Sequence, residues 1–296
     1  MLDPQPNVPR KAGPGGLIRQ RSPLMRGLNA LRKKTALNPY WIEQAWLNRA
    51  ARMLAPKASG SLLDVGVGEK PYGELFAPHV TSYTGLEYPP VADNLHPEIW
   101  AKLETIVDLV DVFGDGMRLP FASNSFDTVL SFEVLEHVPD PNACVSEMAR
   151  VVRPGGRVLM TVPFSSPRHQ LPFDFFRYTP NGLEALLTRH GLEVESLDAR
   201  GNFAAATGAT LSHFLMRCVC ARSVNHDGSV NLSRWRAPFV LPVIAAVQIL
   251  FEWISRVTSD TALTLGYVVV ARAPDAPAPV SRATSSSKGA STISQS

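Results

Sequence analysis

The sequence predicts an α/β fold: a mostly parallel sheet with helices on both faces. Three observations carry that expectation. Short apolar strands alternate with helices of 3.6-residue period, several strands end in an acid, and the first breaks into a glycine turn, Ser61-Leu-Leu-Asp-Val-Gly-Val-Gly68. Gly66 and Gly68 permit positive φ and lack the Cβ atoms that would hold a ligand away from the backbone. Asp64 can accept hydrogen bonds from turn amides or from an ammonium group.

The elements follow in order along the chain. Asn38 and Pro39 read as N-cap and first-turn proline of a helix whose Ile42, Trp46, Ala50 and Met53 recur at helical spacing. After the glycine turn, Tyr83 to Glu87 is a second strand ending in an acid. Ile106 to Phe113 is a third apolar run leading to Gly114-Asp115-Gly116, and Phe126 to Phe132 is a fourth. Asp140 and Pro141 cap a helix with Val145, Met148, Ala149 and Val152 on one face, which Pro154-Gly155-Gly156 should stop before a strand from Arg157 to Val162. A helix from Pro180 to His190, ended by Gly191, precedes a strand from Leu192 to Leu197, and Thr264 to Ala271 reads as the last strand. Ligands of such sheets bind at the carboxyl ends of the strands, where Asp64, Glu87, Asp115 and Phe132 all fall.

Composition narrows the classes of function. The first 34 residues carry eight Lys or Arg against one acid, Asp3, so they hold +7 in a chain of net charge +3 and leave −4 on the remainder. A nucleic-acid-binding core is therefore not expected, and residues 1–37 read as a solvated basic leader without the apolar region of a secretory signal. Cys144, Cys218 and Cys220 show no paired metal-type spacing, which suggests a reduced, cytoplasmic protein without structural zinc. Residues 273–296 read as a flexible tail, leaving 38–272 as the folded domain.

Glu87 lies 19 residues beyond Gly68 at a strand end, where a carboxylate can accept both hydroxyl hydrogens of a ribose. A dinucleotide would want a third glycine, but Glu69, Lys70 and Pro71 follow Gly68 instead, and an acid at Glu69 is unwelcome beside phosphate. With Leu-Asp-Val-Gly-Val-Gly at 63–68, Gly-Leu-Glu at 85–87, Gly-Asp-Gly-Met-Arg-Leu-Pro-Phe at 114–121, Ser-Phe-Asp-Thr-Val at 125–129, Val-Leu-Glu-His-Val at 134–138 and Arg-Pro-Gly-Gly at 153–156, the chain resembles the class I S-adenosylmethionine-dependent methyltransferases, in particular the small-molecule group called type 11. That resemblance implies a Rossmann-like seven-stranded sheet and S-adenosylmethionine as cofactor. Asp64, Gly66 and Gly68 would then border its methionine part, Glu87 would hold the ribose, Asp115 would accept from the adenine amine beside Gly116 and Met117, and Phe132 would lie near the sulfonium. A nicotinamide oxidoreductase and a non-catalytic cofactor-binding scaffold are the alternatives.

Methyl transfer is an in-line displacement governed by positioning, with a base needed only when a hydroxyl must lose its proton. His137 and His169 stand as candidate catalytic residues, with Glu133 as a further candidate base. Glu133, Glu136 and His137 have spacing that could place Glu133 and His137 one helical turn apart around a divalent ion, but a capping acid and a satisfied histidine are expected there and no metal is assigned. Pro163 to Thr179 forms an aromatic loop in which Arg168, Phe175, Arg177 and Tyr178 are candidate acceptor-binding residues. Part of this loop resembles a variant of the family associated with cell-surface glycan and lipid-linked sugar pathways, which implies a small or lipid-linked acceptor, with oxygen favoured as the atom methylated. Residues 203–257 form an apolar insertion whose stretch Ala237 to Phe251 is uncharged for 15 residues, short of the roughly 20 needed to span a bilayer. The insertion is either a helical pair buried as a cap or dimer face, or a surface anchor with Arg234, Trp235, Arg236 and Trp253 near the headgroups on the cytoplasmic side.

Overall fold

A computed structural model describes residues 35–89, 109–225 and 228–275. Residues 1–34 of the expected leader and 276–296 of the expected tail lie outside them. Residues 35–37, read from the sequence as leader, instead belong with the fold, because the Gln248 side-chain amide donates to the carbonyls of Ala36 and Asn38 at 2.9 Å each.

The helix α1 (Trp41–Leu54) leads through a short 3-10 turn to β1 (Ser61–Val65). Its start lies later than Asn38-Pro39 suggests: the Asn38 side chain accepts from the Tyr40 amide, so this pair closes a turn ahead of the helix. Ile42, Ala50, Ala51 and Leu54 face inward, whereas Met53 is exposed. Next come the one-turn helix α2 (Gly73–Phe76), β2 (Ser82–Glu87), β3 (Val112–Phe113) and β4 (Phe126–Phe132). Asp140 caps α3 (Pro141–Val151) through the amides of Asn142 and Ala143, as expected.

Strand β5 (Val152–Pro163) begins before Pro154-Gly155-Gly156 rather than after it. The sheet absorbs these residues as a bulge between the pairs Phe126–Val152 and Thr128–Arg157, with Gly155 at φ +75°. Then follow α4 (Pro180–Arg189), capped by Thr179, and β6 (Glu193–Arg200). The insertion comprises α5 (Phe203–Phe214), a π turn, a hairpin of β7 (Ala221–Val224) and β8 (Val230–Leu232), and α6 (Ala237–Ser255), before β9 (Gly266–Arg272).

The sheet has the order β3-β2-β1-β4-β5-β9-β6, with β9 antiparallel to both neighbours and the other pairs parallel. Successive strand residues point to opposite faces, so Leu63, Val129 and Met160 pack under α3 and α4 while Leu62, Leu130 and Leu159 pack under α1 and α2. Both faces are thus dry, and each fully buried Leu contributes about 1.5–3 kcal/mol. The α1 and α5 helices meet through Ile42, Ala205, Ala206 and Ala209. At Gly208 a Cβ would lie 2.5 Å from the Phe251 Cβ, so only glycine lets α5 and α6 approach this closely.

Candidate functional site

The carboxyl ends of β1, β2, β3 and β4 bring together most of the cofactor-binding candidates. Gly66 (φ +77°) and Gly68 (φ +51°) turn the chain after β1, and the Gly66 and Val67 amides donate to the Leu86 carbonyl. A Cβ on Gly66 would lie 2.5 Å from Val134 Cγ2, whereas the space beside Gly68 is open within 4 Å. The turn is therefore packed on one side and clear on the other. Glu87 closes the gap to β2 by accepting the Gly68 amide at 2.8 Å.

Asp64 is buried and accepts the Tyr83 hydroxyl. Burial pushes its carboxyl up to about 7, against the lowering effect of Tyr83. A buried carboxyl poised near neutrality would ionise when an ammonium group came alongside it. The Asp115 carboxylate accepts the Met117 amide at 2.8 Å, and Gly116 lies against Val65 and Cys144, so this turn rests on the end of β1. The Phe132 ring is wedged against Tyr72 and Phe76 at centroid distances of 5.1 and 6.1 Å, on the face under α1 and α2.

A second cluster forms where β4 and β5 end. Glu133, at φ +54°, precedes a 3-10 turn, Leu135–His137, so the full helical turn that would pair Glu133 with His137 is absent. Glu133 instead accepts from Arg200 at 2.8 Å. The loop 163–179 is fastened to the 3-10 turn at three points. Phe175 and Phe176 donate their amides to the Glu136 carbonyl, Tyr178 donates its hydroxyl to the Leu135 carbonyl, and His137 Nδ1 donates to the Phe173 carbonyl at 2.6 Å. His169 is thereby carried over His137, ring centroids 4.8 Å apart.

Its Nδ1 donates to the Pro167 carbonyl, and its amide donates to Asp174. Burial would raise Asp174, but two hydrogen bonds from the Arg177 guanidinium and one from the His169 amide hold it below the usual carboxylate range. Arg177 also donates to the carbonyls of Ser166, Pro167 and Phe176, so it braces the loop. Tyr178 is buried at the base of the loop, while Arg168 and Phe175 are exposed on it. Burial lowers His137 to about 4 and, with repulsion from Glu133, raises Glu136 well above the ordinary glutamate range.

Asp174 and Arg200 were not among the sequence candidates. Asp174 sits in the loop that was singled out, but its pairing with Arg177 depends on the loop's path. Nothing around Arg200 flags it; it is buried beside Gly266, where a Cβ would stand 2.7 Å from its guanidinium.

A sequence profile described as a methyltransferase domain matches residues 63–160, from β1 through most of β5. An uncharacterized methyltransferase of Mycolicibacterium paratuberculosis is 32% identical over 176 residues, taking in 53% of this chain and 65% of that protein. One of Mycobacterium leprae is 28% identical over 227 residues, 66% of this chain and 80% of that protein. Among solved structures, a chain from the complex between the Haloferax volcanii Trm112 methyltransferase activator and the putative methyltransferase superimposes with a TM-score of 0.49 at 18% identity, covering 77% of this chain and 89% of that one.

The strand order, the glycine turn, the domain match over residues 63–160 and these relatives together support a class I S-adenosylmethionine-dependent methyltransferase. Within that class its match is to the methyltransferase-domain family, whose cofactor is S-adenosylmethionine and whose chemistry is methyl transfer. The nicotinamide reading falls with this assignment.

Proposed function

We propose that the chain methylates an oxygen of a lipid-linked acceptor at the cytoplasmic surface of a membrane, using S-adenosylmethionine. The observation that carries the acceptor class is the outer face of α6. Phe239, Val243, Leu250 and Trp253 recur along it at helical spacing and are all exposed, with Trp235 and Val257 continuing the stripe at either end. Arg234, Arg236 and Arg256 flank it. The opposite face is committed to the domain: Gln248 accepts the Ile42 amide, and Glu252 accepts from the Trp46 indole and pairs with Arg49. An apolar stripe bounded by Trp and Arg, on a helix fixed flat against a folded domain, suits the headgroup boundary of an anionic bilayer.

Among the described residues, α6 is long and apolar enough to cross a membrane, and it is longer than the 15 uncharged residues suggest because it continues past Phe251 to Ser255. The buried, paired Glu252 favours the surface orientation. The same insertion reaches the acceptor side. At Gly228, beside the β7–β8 hairpin, a Cβ would stand 3.0 Å from the Arg168 carbonyl, so the segment leading to α6 touches the loop that carries His169.

For the cofactor, the cleared side of Gly68 and the Glu87 carboxylate would accept the ribose edge, Asp64 the ammonium, and Asp115 with Gly116 and Met117 the adenine. When bound, S-adenosylmethionine supplies an electrophilic methyl group. The chain's own work is to orient the acceptor oxygen through the loop with Arg168 and Phe175, exclude water beneath it, and accept the hydroxyl proton at the cluster of Glu136, His137 and His169.

The test is incubation of the protein with methyl-labelled S-adenosylmethionine and anionic vesicles carrying membrane lipid extract. Label should enter the lipid fraction, and Phe239→Asp with Trp253→Asp should abolish vesicle binding and that labelling together. Unchanged vesicle binding by the double variant, or a self-associating wild type that its substitutions turn monomeric, would overturn the membrane reading.

A further inference from the structure

The Glu136 side chain is completely buried, and neither of its carboxylate oxygens has a hydrogen-bond partner. Two imidazole nitrogens face one of those oxygens: His137 Nε2 at 3.6 Å and His169 Nε2 at 4.0 Å from Oε1. Both distances exceed a hydrogen bond. The tautomers follow from the other ring atoms. A carbonyl oxygen only accepts, so each Nδ1 that meets one, Phe173 for His137 and Pro167 for His169, carries the proton and donates it.

In the neutral rings, each Nε2 is then a bare lone pair. Two nitrogen lone pairs converge on the Glu136 carboxyl, where a single proton could satisfy at most one of them, and His137 Nε2 is itself buried without a partner. Such a nest of acceptors is costly in a dry site unless a cation fills it.

We propose that Glu136, His137 and His169 form a site for a first-row divalent transition-metal ion. The three ligand atoms lie within 4.8 Å of one another, and an ion with bonds of about 2.0–2.1 Å would draw them to separations of about 3.3 Å. Two imidazoles with one carboxylate suit manganese, iron, cobalt or zinc and leave positions open for an exogenous ligand.

The surroundings already have the form that metal sites require. Each histidine is fixed by a backbone carbonyl through its far nitrogen, and Asp174, held by Arg177, fixes the His169 amide. Glu133, whose Oε1 is also buried without a partner, adds negative charge nearby. With an ion present, the histidines act as ligands in place of the proton-accepting role given them above, and the ion would acidify an acceptor hydroxyl as a Lewis acid so that its proton passes to solvent; that last role rests on the methyl-transfer reading above.

Binding is measured without cofactor or acceptor. Full-length protein stripped with a chelator is titrated with Mn2+, followed by paramagnetic resonance, and with Co2+, followed by its visible absorption. One ion per chain is expected, with Co2+ bands of nitrogen ligation. His169→Ala, at a half-exposed loop position, should weaken affinity 10–100-fold with an unchanged circular dichroism spectrum, and Glu136→Gln should do so as well. No one-to-one binding by Mn2+, Co2+ or Zn2+, or affinity unaffected by His169→Ala, would overturn the site. If the ion binds as expected but metal-loaded protein labels no acceptor, the proposed function fails instead and the site stands.

Discussion

The Gly68 amide donates to Glu87 Oε2 at 2.8 Å, joining the turn after β1 to the end of β2. With the Gly66 and Val67 amides on the Leu86 carbonyl, that bond holds together the two strand ends across which a ribose would lie. Replacing Glu87 with Ala removes a charged acceptor from both the turn and the cofactor. S-adenosylmethionine affinity should fall by about 10–100-fold, the loss of one to two hydrogen bonds to a charged group. Titration followed by intrinsic fluorescence measures it, and an affinity within twofold of wild type would remove Glu87 from the site.

Asp64 makes stability depend on pH in a direction opposite to most carboxylates. Its folded value of about 7 lies above the ordinary 3.8, so between these values the folded protein holds a proton that the unfolded chain has released. This group's stabilising contribution is complete below about pH 4 and is lost as pH rises through 7, with a slope of at most about 1.4 kcal/mol per pH unit. Urea denaturation from pH 5 to 8 should show the decline, and Asp64→Asn should flatten it. Binding of a ligand ammonium favours the charged form, so cofactor affinity in the wild type should rise over the same interval, with proton release visible by calorimetry in buffers of different ionisation enthalpy.

The two turn glycines should respond differently to alanine. At Gly66 a positive φ coincides with a Cβ position 2.5 Å from Val134, whereas at Gly68 only the backbone strain applies. Gly66→Ala should cost about 1–3 kcal/mol more than Gly68→Ala in urea denaturation. Gly68→Ala should keep its fold and weaken cofactor binding, since its new methyl group enters the cleared side of the turn. Equal stability losses would contradict this asymmetry.

The contact between α5 and α6 rests on Gly208. A valine there collides with Phe251 and should lower stability by about 1–3 kcal/mol while releasing α6 from the domain. Faster hydrogen exchange in α6 than in the central strands would show that release, and an unaltered exchange pattern would show that the helix pair does not depend on close approach.

The sheet and the cofactor turn were legible because their signals are local. Asp64, Gly66 and Gly68 sit within five residues, Phe126 to Phe132 is a strand in the sequence as in the structure, and Asp140-Pro141 announces α3. Where structure departed from the sequence reading, the deciding interactions are distant. Pro154-Gly155-Gly156 has the chemistry of a stop, but pairing of Gly155 and Gly156 with Ala273 carries them in the sheet. Pro242 falls inside the early turns of α6, and Gln248 and Glu252 anchor the later turns to α1. The β7–β8 hairpin is too short and polar to show a two-residue period, and its pairing is the only signal of it.

For the site, the sequence spacing could set Glu133 and His137 one helical turn apart, although a capping acid and a satisfied histidine were expected there. The 3-10 turn puts Glu136 and His137 side by side instead, and the third member, His169, arrives from a loop whose path is set by Arg177 and Asp174.

The central claim is that the glycine turn and the acids beside it bind S-adenosylmethionine. Calorimetric titration of the full-length protein with S-adenosylmethionine, S-adenosylhomocysteine and NAD tests it most directly. One-to-one binding of both methyl-cycle ligands, weakened by Asp115→Ala, with no heat from NAD, is the predicted result; NAD binding at this turn, or no binding of either methyl-cycle ligand, would contradict it.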